Sequence, residues 1–120
     1  MKKAIYAIRD RKLPKQIRKR IPEKFSGNSF IPPGWQNFVC LLDGELAEIC
    51  PDYSLHQVKS KFGTLRYYID TMMEPVPKEA RTIINKYEQL SEHICEVCGQ
   101  PGKKYGDQRW ITTRCKNHKE

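Results

Sequence analysis

No stretch of this 120-residue chain approaches the roughly 18 consecutive apolar residues that a membrane span requires. The N-terminus also lacks an unbroken apolar run: Lys2 and Lys3 are followed only by Ala4-Ile5-Tyr6-Ala7-Ile8 before Arg9. This argues against a secretory leader and points to the cytoplasm, with no membrane partner. In a reducing compartment the five cysteines are expected as thiols, metal ligands or core residues rather than disulfides. Enzymatic signatures are missing too. There is no Gly-rich phosphate loop and no nucleophilic Ser or Cys beside a paired base. Pro51-Asp52 followed by Gln57-Val58-Lys59 carries one acid of the acid–acid–Lys arrangement of metal-dependent nucleases and lacks the second. Cys115-Lys-Asn-His118 would suit an HNH-type nuclease only with an upstream histidine, and residues 99–114 contain none. The expectation is a protein that is not an enzyme.

Positive charge is absent from residues 25–58, which hold no Lys or Arg but include Asp43, Glu45, Glu48 and Asp52. The chain nevertheless carries a formal net charge of +8, from 22 Lys+Arg against 14 Asp+Glu. All of that excess sits in residues 1–24, where ten bases face only Asp10 and Glu23. Residues 1–25 therefore read as a basic arm. Its Lys12, Lys15, Arg18, Lys19 and Arg20 are candidates for contact with nucleic-acid phosphates or an acidic partner, and phosphate binding of this kind weakens with salt. The arm could equally pack on the chain's own acidic segment or stay solvated.

Hydrophobic residues make up 38% and charged residues 30%, and the length suits one modest core. Pro14 opens a short basic helix on which Ile17 and Ile21, four apart, share a face; Pro22 stops it. Residues 26–34 have loop chemistry. Trp35, Phe38, Val39, Leu42, Leu46, Ile49 and Cys50 then recur at helical spacing, which predicts a helix over about 35–50, with its acids mostly on the opposite face. Residues 55–70 read as a hairpin turned at Gly63, with Val58 and Phe62 on one face before the turn and Leu65, Tyr67 and Ile69 alternating after it. Ala80, Ile83, Ile84, Tyr87, Leu90 and Ile94 mark an amphipathic helix over about 78–94.

The last residues differ in kind. Cys95-Glu-Val-Cys98-Gly99 and Cys115-Lys-Asn-His118 form a C-x2-C-x16-C-x2-H pattern. Each two-residue spacing lets a tight knuckle turn both side chains onto one ion, and the four donors complete a tetrahedron. Cys95, Cys98, Cys115 and His118 are therefore predicted to hold a structural zinc, with Gly99 in the left-handed conformation after the first knuckle. Four protein ligands leave no position for catalytic water. Residues 103–114 between the pairs read as a second hairpin, turned at Gly106-Asp107 with a strand starting at Trp110. Such a short, polar module is expected to unfold without its metal. Lys103, Lys104, Arg114 and Lys116 would offset the formal −1 of three thiolates on Zn²⁺.

Other chemistry-bearing residues read more plainly. Cys40 and Cys50, ten residues and about 15 Å apart along one helix, are expected as separate free thiols. His56 and His93 have no evident role. Lys59, Lys61, Phe62, Arg66, Tyr67 and Tyr68 interleave cations with aromatics. Such a face can stack single-stranded bases, which makes Lys59, Lys61 and Arg66 further candidates; hairpin aromatics more commonly serve the core.

Gly34-Trp35, Val58-Lys-Ser-Lys-Phe62-Gly-Thr-Leu-Arg-Tyr67, Cys95-Glu-Val-Cys98-Gly-Gln-Pro-Gly102 and Trp110-Ile-Thr-Thr-Arg-Cys115-Lys-Asn-His118 resemble, in order, a set of small zinc-binding proteins encoded in phages and prophages. Their pattern is GW, a helix, KFGxLRxY, a helix, CxxCGxPG and WxxTxCxxH. The similarity spans about residues 34–118 and omits the basic arm. Arg109 and Arg114 replace a usual Gly and Leu without touching a metal ligand. The resemblance implies a phage accessory protein with no settled activity, acting on a host defence or regulatory complex.

The expected fold is α+β: an arm over 1–25, a core over 26–94 with two main helices and a hairpin, and a ribbon or treble-clef-like zinc module over 95–120 docked on it. The expected partner is a host protein or nucleoprotein complex, the alternative a nucleic acid bound directly by a small regulator. The oligomeric state is left open, a dimer included.

Overall fold

The computed structural model describes residues 12–72, 75–107 and 109–119. The basic residues Lys2, Lys3, Arg9 and Arg11 lie outside them. The architecture is α+β, as expected. Among the described residues three helices, α1 (Lys15–Arg18), α2 (Gln36–Ile49) and α3 (Lys78–Ser91), accompany two antiparallel hairpins, β1 (Ser54–Lys61) with β2 (Thr64–Asp70), and β3 (Lys103–Asp107) with β4 (Trp110–Arg114). None of these helices is long and apolar enough to cross a membrane.

α2 follows a 3-10 turn at Pro33–Trp35; the turn buries Trp35, and the helix presents Val39, Leu42 and Leu46 to the core. Leu55 and Val58 from β1, Leu65 and Tyr67 from β2, and Ala80, Ile84 and Tyr87 from α3 complete that core. The Phe38 and Tyr87 rings lie parallel with centroids 6.2 Å apart, joining α2 to α3. Leu55 and Val58 both point inward although they are three apart, because a bulge at His56 breaks the alternation. His56 does find a partner: its ring stacks on Phe25 at 4.1 Å.

The segment expected as a basic arm is partly structural. Leu13 and Ile17 are buried in the core, and α1 lies against α2. The charge pattern explains why. Asp43 is buried on α2, on the same stripe as Val39 and Leu46, and not on the solvent face. Arg20 Nε donates to Asp43 Oδ1 at 2.9 Å, and Gln16 Nε2 donates to Oδ2 at 2.8 Å. Tyr53 OH donates its proton to Asp43 Oδ1 at 2.5 Å, so Tyr67 OH, 2.6 Å away, donates to Tyr53. Burial, the adjacent Tyr67 and the Asp43 carboxylate hold the Tyr53 phenol well above its usual range. The acidic helix thus draws in the arm by one satisfied buried charge.

Two turns depart from expectation. Phe62 does not face inward with Val58: it is the first central residue of the β1–β2 turn, at φ 56°, followed by Gly63 at 77°. Two positive φ values in a two-residue hairpin loop are the primed turn that suits strand twist. For Phe this conformation costs about 1–2 kcal/mol. The β3–β4 turn lies beyond Gly106-Asp107, since Gly106 pairs with Ile111 and Asp107 with Trp110. Asp107 Oδ1 accepts the Arg109 and Trp110 amides at 2.9 and 3.3 Å and shapes that turn.

Candidate metal centre

The first knuckle begins where α3 ends. The Cys95 amide donates to the Gln100 carbonyl at 2.8 Å, and the Gly99 amide returns to the Cys95 carbonyl at 3.0 Å. Gly99 has φ 80°, as its place after the knuckle required. The second knuckle is closed by the His118 amide on the Cys115 carbonyl at 3.0 Å. Between them the β3–β4 hairpin turns the chain back, so that Lys103 pairs with Arg114 just before Cys115.

This brings Cys95, Cys98, Cys115 and His118 together, with their ligand atoms all within 4.8 Å of one another. Cys98 Sγ is 3.7 Å from Cys115 Sγ. His118 Nδ1 is 3.8 Å from Cys95 Sγ and 3.2 Å from Cys115 Sγ. Ligand bonds of about 2.3 Å to sulfur and 2.0–2.1 Å to nitrogen give tetrahedron edges of about 3.8 Å between sulfurs and about 3.6 Å from sulfur to nitrogen. The separations of 3.7 and 3.8 Å lie close to those edges, the 3.2 Å contact is shorter, and no pair exceeds 4.8 Å, so the four residues are compatible with one shared metal ion.

Burial and hydrogen bonding divide the thiols. Burial opposes ionisation of Cys95, but the backbone amides of Cys98, Cys115 and Val97 favour its thiolate, and its pKa falls to about 6. The Gln100 amide favours the Cys98 thiolate, yet burial and the neighbouring Cys115 and Cys95 sulfurs push that thiol up. Two nearby sulfurs cannot both ionise cheaply without a cation between them, which is what a bound metal supplies. Lys103, Arg114 and Lys116 line a groove of about 630 Å³ beside Cys98 and Cys115. Lys104 instead pairs with Glu92 at 3.0 Å. His93 is exposed and outside the cluster. Cys40 and Cys50 are free thiols, as expected, with Cys40 pushed up by burial and by Asp43.

Residues that spacing did not single out fasten the centre to the core. The Gly34 amide donates to the Glu96 carbonyl at 2.8 Å. A Cβ on Gly34 would lie 2.1 Å from the Cys95 carbonyl oxygen and 2.5 Å from the Gly99 nitrogen, so only glycine admits the knuckle. Trp35, fully buried, donates Nε1–H to the Ile94 carbonyl at 2.8 Å. At the far side Thr113 Oγ1 donates to the Gly63 carbonyl at 2.6 Å, and the Thr113 amide donates to Glu96 Oε2 at 2.8 Å. Helical spacing marks Trp35 as a core residue but not as a partner of the knuckle, and no periodicity marks Gly34.

The candidate binding cations fall into two groups. Lys12, Lys15 and Lys19 are exposed and Arg18 is half-buried, while Arg20 is committed to Asp43 and to the Pro51 carbonyl at 2.5 Å. On the hairpin, Lys59 and Arg66 are directly opposed and half-buried, and Lys61 is exposed with Nζ 5.7 Å from the Phe62 ring centroid. Tyr67 is a core residue, whereas Phe62 and Tyr68 are exposed. No family model, curated protein or solved structure matches this chain.

Proposed function

We propose that this chain is a non-enzymatic, phage-encoded accessory protein that binds a host macromolecule in the cytoplasm, with a structural zinc at Cys95, Cys98, Cys115 and His118. A host protein or nucleoprotein complex, such as a defence or regulatory assembly, is the expected target. The observation that carries the reading is the closed four-donor set beside a stretch with no apolar core of its own. Three thiolates and an imidazole suit zinc, and four protein donors leave it no open position, so the metal shapes a surface and activates no water. The net charge of +8 adds an attraction for acidic partners.

The test is to purify the full chain from host cells and analyse it for metal and bound partners. One zinc per chain and a stoichiometric host partner, both lost in Cys95→Ser, are expected. Cleavage of nucleic acid that needs added divalent metal and vanishes in Asp52→Ala would overturn the reading. Deleting residues 1–24 would remove Leu13 and Ile17 from the core, so the arm's charge is better tested by substituting Lys12, Lys15 and Lys19.

A further inference from the structure

We infer that the groove between the β1–β2 turn and β4 binds single-stranded nucleic acid, with bases stacked on Phe62 and Trp110 and phosphates held by Lys59, Lys61 and Arg109. This rests on the reading of the chain as a non-catalytic binder and names the class of its partner.

Phe30, Phe62 and Trp110 are 47%, 50% and 76% exposed, and all three line one groove of about 370 Å³. Large aromatics left in water singly need no explanation, but three converging on one groove form a recognition surface. Phe62 is the most telling. It occupies a positive-φ turn position that favours glycine or asparagine, and its ring is not part of the core. A strained residue whose side chain the core does not use points to a use elsewhere.

The groove is also held in shape. Thr113 bonds Gly63 beside Phe62, Asp107 fixes the turn before Trp110, and the Phe30 amide donates to the Val58 carbonyl at 2.9 Å. Ordered aromatic faces lose little freedom when bases stack on them.

Charge selects the occupant. Lys59 and Arg109 line the groove, and Lys61 stands over the Phe62 ring. The acid among the lining residues, Glu96, is buried and accepts the Thr113 amide. Cations interleaved with aromatic faces match a polyanion that carries unpaired bases. A duplex keeps its bases stacked inside and offers these rings nothing. An acidic protein surface would also use the cations, but flat unpaired bases match the ring faces as well.

The two tryptophans make the test direct, because Trp35 is fully buried and Trp110 is exposed. The full-length, zinc-loaded chain is titrated with a short oligothymidylate. The expected result is quenching of Trp110 fluorescence, absent in Trp110→Phe, with affinity falling as salt rises. Phe62→Gly suits the turn, so it should fold at least as stably as the parent while binding about ten-fold more weakly. Lys61→Ala should reduce the salt slope by about 0.7. Unchanged affinity in Phe62→Gly, or equally tight binding of a duplex of the same sequence, would overturn the inference. So would failure of the oligothymidylate to bind a chain of full zinc content. If that chain still co-purifies with a host protein, the proposed function stands and only the nucleic-acid partner is lost.

Discussion

From Leu13 to Tyr87 the buried side chains include Trp35, Leu42, Leu46, Leu55, Val58 and Leu65, whereas after Ile94 they are Cys95, Glu96, Thr113 and Cys115. The first set removes large apolar area from water, at about 25 cal/mol per Å². The second set holds almost none, and its members are thiols and hydrogen-bonded polar groups. The core therefore resists unfolding through packing and one satisfied charge, while the C-terminal module has its four ligands and its seams to Gly34, Trp35 and Gly63. A shared surface, the aromatic groove, is built across both regions, so the weaker region controls a site that the stronger one half supplies.

Metal removal is the largest expected effect. Structural zinc binding is worth on the order of 10 kcal/mol in small modules. Chelation should abolish amide-exchange protection over β3 and β4 while α2 stays protected. Loss of protection in both regions together, or unchanged far-UV and near-UV signals, would break the contrast.

Asp43→Ala comes next. It strands the half-buried Arg20 and removes the acceptor of Gln16 and Tyr53, at an expected cost of about 2–4 kcal/mol in denaturant unfolding. Metal content should be unchanged, because Asp43, Gln16, Arg20, Tyr53 and Tyr67 are not among the four clustered donors. A loss below 1 kcal/mol would show that the arm's charge is dispensable.

The smallest effects come from two glycines. Gly34→Ala drives a methyl into the knuckle backbone and should cost about 1–3 kcal/mol. Gly44→Ala meets nothing within 4 Å on exposed helix and should add about 1 kcal/mol. Equal thermal shifts of the same sign would mean that the seam between the regions carries no stability.

The main elements and the Cys/His cluster are legible in sequence because their signals are local. Trp35 to Ile49 repeats at helical spacing, Leu65, Tyr67 and Ile69 alternate, and two paired ligand spacings each fit one knuckle. Asp43 was legible in principle, since it lies four residues from Val39 and three from Leu46 on the apolar stripe. Its charge pointed the other way, and only its partners Arg20, Gln16 and Tyr53 make burial tolerable. Alternation carried on from Val58 puts Phe62 on the inner face, but Phe62 lies in a two-residue turn, where backbone twist sets the conformation instead.

The sequence by itself determined the helices, the hairpins and the four donors, because each depends on neighbours a few residues away. Tertiary structure decided that the basic arm enters the core, that Gly34 admits the knuckle, and that Phe30, Phe62 and Trp110 share one groove. Those outcomes join residues up to 80 positions apart along the chain. No periodicity encodes such pairings; they follow from which surfaces fit and which charges are satisfied once the elements pack.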